Sequence, residues 1–425
     1  MNARKLAIDA IDKILDKDAY SNIIVNEFLT KYELSNEDKN LFTNLVYGTL
    51  QNLLTIEYYL KPYLKKKPKH YIYNLLCMSV YQLVYMNIPE YAVLDESVKI
   101  ARLKDRNLAS FVNGVLRSFL RNPLNDLEEI KKNENEIKYL SVKYSHPEWL
   151  VLFFLKDYSF EVVEKILIEN NKIKNDAIRI NTIKATKEEV KNKLNEINIP
   201  YEDTDIVENG LIIKKPVFET DLFRNGLITI QDISSQMVGE VVNPKENSTV
   251  IDLCSAPGGK AAHVSAIMNN TGKIFACDIY PAKIKLMKNL FKRLDVKNVS
   301  CEQIDARKVK EIVKEEAFDY VICDAPCSGL GVISHKVDLK YHISLDSINE
   351  ILSLQNEILE NTYKLVKING YYTYSTCTIN KDENEFMIKK FIENHPNFEI
   401  VEEKSILPFM YGSDGFYICK MKRTS

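Results

Sequence analysis

Two short loops carry one cysteine each at the end of a β-prone run. Tyr320-Val321-Ile322-Cys323 leads into Asp324-Ala325-Pro326-Cys327-Ser328-Gly329, and Tyr371-Tyr372-Thr373-Tyr374 leads into Ser375-Thr376-Cys377-Thr378. In an open α/β sheet, carboxyl-terminal strand ends open into one crevice, so both turns are expected to face the same ligand. A lone cysteine is most often a small buried hydrophobe, the reading kept for Cys254, Cys277, Cys301, Cys323 and Cys419. Cys327 and Cys377 differ, because a thiol at a crevice can do covalent work. Carbon C5 of a pyrimidine is a poor nucleophile until a thiolate adds at C6; the added electron density then lets C5 attack an electrophilic methyl group. Asp324 could engage N3 and the exocyclic amine of cytosine as C6 is attacked. A second thiol or general base would help remove the C5 proton and release the enzyme.

A third loop follows the run Thr249-Val250-Ile251-Asp252. Residues Cys254, Ser255, Ala256, Pro257, Gly258, Gly259 and Lys260 form a tight glycine turn entering a helix from Ala261 to Met268, a shape that admits a ligand close to backbone. It has neither the GxGxxG dinucleotide fingerprint nor the GxxxxGK phosphate loop, and a purely structural turn is the competing reading. The next strand, Ile274 to Cys277, ends in Asp278, an acid placed for a ribose diol. Asp305, after a possible strand around Val299, either meets an adenine edge or caps its own loop. Lys260 and Lys283 either orient a carboxylate or brace the turn. Intervals of 26 residues from Asp252 to Asp278, 27 to Asp305 and 19 to Asp324 suit successive βαβ units.

Such loops need a scaffold, and 425 residues with 45% hydrophobic composition supply two or three cores and exclude wholesale disorder. Lys and Arg total 57 against 59 Asp and Glu, a formal charge of -2, so any nucleic-acid contact must use local patches. The eight cysteines form no CxxC pair and the six histidines no ligand triad; no metal site and a reducing cytoplasm are expected. Asp9, Asp12, Asp16 and Asp18 among the first apolar residues are wrong for a signal peptide. No run approaches about eighteen apolar residues, so no membrane association is expected.

From Ala3 to about Arg121 the period is helical, with Leu6, Ile8, Ile11, Ile14 and Leu15 in a first helix and Leu41, Leu45, Val46 and Leu50 in another. A further helix runs from Tyr71 to Val84 before Pro89, and a last one carries Phe111, Val115, Leu116 and Phe119 and stops before Pro123. Between Lys61 and Arg121 there are 11 basic and 4 acidic residues. Lys61, Lys65, Lys66, Lys67 and Lys69 read equally as a solvated helix junction or as a phosphate-binding module. Asp126 to Lys138, charged and poor in aromatics, reads as a linker. A strand at Ala177 to Asn181, a helix at Lys187 to Glu196 and a strand at Leu211 to Ile213 suggest a small α+β unit. After Ser235 short β-prone runs alternate with helices, the mark of an α/β sheet, and Gly415 to Met421 suits a late antiparallel strand.

The stretches DLCSAPGGK (Asp252 to Lys260), DAPCSG (Asp324 to Gly329) and STCTINKDENE (Ser375 to Glu385) closely resemble the signatures of RNA cytosine-5 methyltransferases. That resemblance implies S-adenosylmethionine as cofactor on a Rossmann-like fold, Cys377 as nucleophile and Cys327 as the residue that assists product release. It also implies cofactor contacts from the Cys254 to Lys260 turn, Asp278, Asp305 and Asp324, with Lys283 at a position usually basic. LVYGTL (Leu45 to Leu50) and NGVLRSFLR (Asn113 to Arg121) resemble the NusB-like helical domain, and YSHPEWL with IQDISSQM resembles the Sun/RsmB subgroup of 16S ribosomal RNA methyltransferases. The expected architecture is multidomain: an all-α NusB-like RNA-binding bundle over 1–135, a small α+β RNA-positioning region over 140–235, and a Rossmann-like α/β methyltransferase domain with a mixed sheet over 236–425. The expected substrate is 16S ribosomal RNA or a partly assembled small subunit, at the cytosine conventionally numbered 967, acted on by a monomer. Transfer RNA or another ribosomal site is the alternative target, and a noncatalytic RNA-binding assembly factor is the alternative class. One stretch departs from the family pattern: Gly331-Val332-Ile333-Ser334-His335-Lys336-Val337-Asp338 stands where a basic run followed by a His-Pro or Asn-Pro step is common.

Overall fold

A computed structural model describes residues 2–16, 19–122, 124, 126–133 and 135–425; Asp18 and Pro123 lie outside the described residues. The chain folds as two compact units, one of Met1–Lys172 with Ile333–Ile343, the other of Ile173–Val332 with Ser344–Ser425.

The first unit is helical. Apolar residues three or four apart give Ala3–Asp16 one buried stripe, Leu6, Ala7, Ile11 and Ile14. That stripe shares a core with Leu45 and Leu50 of Asn36–Gln51, Leu76 and Val80 of His70–Tyr85, and Val112 and Leu116 of Arg106–Leu120. Ser35 and Asp105 cap two of these helices, accepting from the backbone N–H of Asp38 and Asn107. The stretch expected to be a linker is instead largely helical, in Glu128–Asn133 and Glu136–Lys143. Asn135 caps the second by accepting from Lys138 N at 2.7 Å. Buried Ile130 and Tyr139 are spaced too sparsely among charges to show a period in the sequence.

Residues 333–343 complete this unit although they follow the Pro-Cys loop of the other. Asp338 accepts from the Ser21 backbone N–H at 3.0 Å and from its hydroxyl, holding the start of the helix Ser21–Lys31. At the other pole, Lys340 Nζ donates to Gln51 O at 2.8 Å and Tyr341 OH to Leu50 O at 2.7 Å, meeting carbonyls that end the helix Asn36–Gln51. Burial pulls the Lys340 ammonium down to about 7. Val337, in the stretch that departs from the family pattern, sits in the helical core.

The second unit holds two sheets. Strands β1 (Asp176–Ile180), β2 (Tyr201–Asp203), β3 (Gly210–Ile213) and β4 (Ile228–Ile230) form an antiparallel sheet in the order β2-β3-β1-β4. The helix Lys187–Glu196 that follows β1 starts with a Thr186–Glu189 capping box. The larger sheet contains β5 (Thr249–Asp252), β6 (Lys273–Asp278), β7 (Val299–Gln303), β8 (Phe318–Asp324), β9 (Val366–Thr376), β10 (Phe398–Ile406) and β11 (Phe416–Arg423), in the order β10-β11-β9-β8-β5-β6-β7. Strands β5 to β9 are parallel, and β11, the late strand expected from its alternation, is antiparallel to β9. Edge strand β10 is not evident in the sequence. Its Glu399, Glu402, Glu403 and Lys404 face solvent or its margin, as suits an edge that must not pair further. The strand order reverses between β5 and β8, and a ligand crevice belongs at such a switch point. Among the described residues no helix is long and apolar enough to cross a membrane.

Candidate active site

Parallel pairing sets Asp324 at the end of β8 opposite Ser375 on β9, and Ala325 N donates to Ser375 O at 2.8 Å. With the strands in that register the two following turns run side by side, and the Sγ atoms of Cys327 and Cys377 lie 3.2 Å apart. That is a hydrogen-bond distance for sulfur; a disulfide would need about 2.05 Å, and neither cysteine is in a disulfide. Each is only half-buried, whereas Ser328, Thr376 and Thr378 beside them are buried. The hydrogen bond to Cys377, with loss of solvent and the negative charges of Glu383 and Asp324, pushes the Cys327 thiol well above the ordinary thiol value. Gly331 fixes the far end of the Pro-Cys loop: its N–H donates to Cys377 O at 3.1 Å, and a Cβ there would meet Gly415 O at 2.0 Å.

Both oxygens of Asp324 are engaged, Oδ2 by Lys260 Nζ at 2.6 Å and Oδ1 by Ser375 Oγ at 2.8 Å. Burial pulls the Lys260 ammonium down, but Asp324, Asp252 and Cys377 outweigh it and hold the proton more tightly than usual. Lys260 thus ties the glycine turn to the acid beside the two thiols. Within the turn, Gly258 has φ +105°, and a Cβ would meet the Phe291 ring at 3.0 Å. The Ala256–Pro257 peptide is cis, Ser255 N donates to Cys277 O at 2.8 Å, and the Ser255 hydroxyl is buried with no protein partner. Asp278, buried at the end of β6, accepts from Tyr280 N at 3.1 Å, and Lys283 Nζ stands 3.5 Å from its other oxygen. Asp305 caps the 3-10 turn Ala306–Glu311, accepting from Arg307 N at 3.0 Å. The Arg307 guanidinium binds both its oxygens and draws its carboxyl below the usual range.

Asp252, at the end of β5, is wholly buried, and burial lifts its carboxyl to about 7, with the Asp324 charge adding to the effect. Its unfolded value is about 3.9, so between these values the folded chain binds a proton that the unfolded chain does not. The contribution to stability is complete below about pH 4 and is lost as pH rises through about 7. Asp252→Asn is expected to remove roughly 3 kcal/mol of the stability lost between pH 5 and pH 8, checked by comparing denaturant midpoints of both proteins at the two pH values. Equal pH dependence in the two proteins would mean that Asp252 ionises as an ordinary acid.

Glu383 had no expected task, although it lies inside the Ser375 to Glu385 stretch. It is fully buried and gathers five donors: Ser328 N at 2.9 Å, Ser328 Oγ at 2.5 Å, Gln355 Nε2 at 3.0 Å, Asn380 Nδ2 at 2.9 Å and Thr378 Oγ1 at 3.5 Å. Gln355 Nε2 also reaches Pro326 O at 2.8 Å. Ser328 and Pro326 flank Cys327, and Asn380 follows Cys377, so one carboxylate fastens both cysteine loops. The available signal was a carboxylate six residues after a cysteine, too common a spacing to single it out. Glu383→Ala should cost about 3 kcal/mol, since several buried donors lose their acceptor at once. The measurements are the denaturant midpoint and amide exchange at Ser328; unchanged exchange there would rule the clamp out.

Three stretches of the chain match family models: residues 240–422 match 16S rRNA methyltransferase RsmB/F, residues 1–121 the NusB family, and residues 146–218 the ferredoxin-like domain of RsmF/B-like methyltransferases. The probable ribosomal RNA small subunit methyltransferase B of Bacillus subtilis (strain 168) is 38% identical over 444 residues, spanning 99% of each chain. Ribosomal RNA small subunit methyltransferase B of Photorhabdus laumondii subsp. laumondii is 30% identical over 435 residues, again 99% of each. The crystal structure of PH0851 superposes with a TM-score of 0.84 at 27% identity, covering 99% of this chain and 98% of that one.

Proposed function

Because the chain belongs to the RsmB/F family of 16S rRNA methyltransferases, we propose that it methylates C5 of cytosine 967 in 16S ribosomal RNA through a covalent adduct on Cys377. The family's chemistry is S-adenosylmethionine-dependent methylation of ribosomal RNA at cytosine C5. The observation that carries the finer reading is the pair of thiols 3.2 Å apart beside Asp324.

The residues of the glycine turn fit the cofactor. Gly258 leaves room for a close approach to backbone, the Ser255 hydroxyl is buried without a protein partner, and the Asp278 carboxylate suits a ribose diol. We assign cofactor contacts to Cys254, Ser255, Ala256, Pro257, Gly258, Gly259, Lys260, Asp278, Lys283, Asp305 and Asp324. When bound, S-adenosylmethionine supplies the methyl group that C5 takes up.

The chain's own residues do the rest. Asp324, steadied by Lys260 and Ser375, accepts from the exocyclic amine of the flipped cytosine, and from N3 while that nitrogen carries a proton taken from solvent during the attack. Cys377, as thiolate, bonds to C6 and sends the displaced electron pair toward C5. Once its sulfur is bonded to carbon, Cys377 no longer opposes ionisation of Cys327. Cys327 then gives its proton to solvent and, as thiolate, takes the C5 proton while the C6–S bond breaks and returns the electron pair to Cys377. Residues 1–135 and 140–235 are assigned to holding RNA and 236–425 to catalysis, in a monomer acting on 16S rRNA or a partly assembled subunit.

Bisulfite sequencing of RNA from cells with and without the gene tests this reading. One 5-methylcytosine at position 967 of 16S rRNA is expected to disappear without the gene. Loss confined to transfer RNA would move the substrate, and an unchanged pattern in a strain with an assembly defect would favour a noncatalytic factor.

A further inference from the structure

The lysines at 61 to 67 read two ways in the sequence, as a solvated junction or as a phosphate site. In the helical unit they are exposed but gathered around one concavity. Lys61, Lys65, Lys66 and Lys67, with Lys138 from the helix Glu136–Lys143, rim a cleft of about 580 Å³ whose wall includes Tyr58.

Charge within the cleft is not balanced. Lys67 pairs with Glu57 at 3.4 Å and Lys138 with Glu148 at 2.6 Å. Among the described residues, Lys61, Lys65 and Lys66 have no carboxylate within ion-pair distance, and all three are exposed. Like charges crowded in a concavity repel one another, an arrangement that is relieved when an anion enters. The volume lies in the range of sites that take ligands of nucleotide size. Lysines and tyrosines lining one cleft also match the way single-stranded nucleic acid is held, phosphates on lysine and a base against a ring.

We propose that this cleft binds an unpaired segment of the substrate RNA, Lys61, Lys65 and Lys66 taking its phosphates and Tyr58 facing a base. The proposal rests on the RNA-methyltransferase reading for the identity of the polyanion and adds an anchoring site outside the α/β sheet unit that carries the catalytic residues.

The test uses the full chain, a protein-free 16S rRNA fragment containing the target cytosine, and the triple variant Lys61→Ala/Lys65→Ala/Lys66→Ala. Three lost phosphate contacts on a single strand should lower the slope of log K against log salt by about 2. The KM for RNA should rise roughly 10- to 100-fold, with kcat held within about twofold. Lys61→Arg/Lys65→Arg/Lys66→Arg keeps the charge and should keep both the slope and KM. The cleft proposal is overturned if the alanine variant matches wild type in slope and KM, or if the arginine variant loses as much as the alanine one. It is equally overturned if the alanine variant handles naked RNA normally and fails only on partly assembled subunits, since the cleft would then take a protein. Wild-type methylation of the same fragment reports separately on the function itself.

Discussion

Replacing Cys377 with alanine is expected to lower methyl transfer by a factor on the order of 10⁴ or more, the scale on which a nucleophile acting as a unit with its partners fails when removed. Without the Cys377 thiolate no electron density reaches C5, and Asp324 and Lys260 can orient the base without making it reactive. The neighbouring thiol is a poor substitute because its turn, fixed by Glu383 and Gln355, aims it at the position of the Cys377 sulfur. Binding of S-adenosylmethionine should stay within about twofold, since the cofactor contacts proposed here do not include Cys377. Single-turnover transfer of a labelled methyl group to the 16S fragment gives the rate, and calorimetry gives the cofactor affinity. Ordinary turnover in this variant would remove Cys377 from the role of nucleophile.

Cys327→Ala should behave in the opposite sense. In the proposed mechanism Cys327 accepts the C5 proton after Cys377 has bonded to C6, when the hydrogen bond and charge of Cys377 no longer push the Cys327 thiol up. Its loss should therefore leave attack and methylation nearly intact and block elimination. Multiple turnover is expected to fall by about 10³-fold, while a covalent protein–RNA species survives denaturing electrophoresis. The species should vanish in Cys327→Ala/Cys377→Ala. If the single variant turns over freely with no adduct, another group removes the C5 proton; if the double variant still forms it, the bond is to a different residue.

Much of this site is legible in sequence because each chemical part is contiguous with the strand that presents it. The turn after β5, Asp278 after β6, the Pro-Cys loop after β8 and the Thr-Cys loop after β9 each follow a short β-prone run. Parallel strand order then brings them together. What escaped depends on partners remote in the chain. Glu383 reaches the Pro-Cys loop through Ser328 and Gln355, 55 and 28 residues away. Strand β10 looks unlike a strand because an exposed edge is built from charge. The helices near Glu128 and Glu136 hide behind acidic and basic faces with few apolar residues between them.

The fold also dictates an order of events at the ribosome. The helical unit comes first in the message, yet the residues that tether Ser21 and fill its core beside Val337 emerge about 160 residues after Lys172. At the usual pace of synthesis, about 5–20 residues per second, that is a delay on the order of 8–30 s. The nascent bundle must wait through that interval with an apolar notch open, so the first part of the protein to be made cannot be the first to be finished.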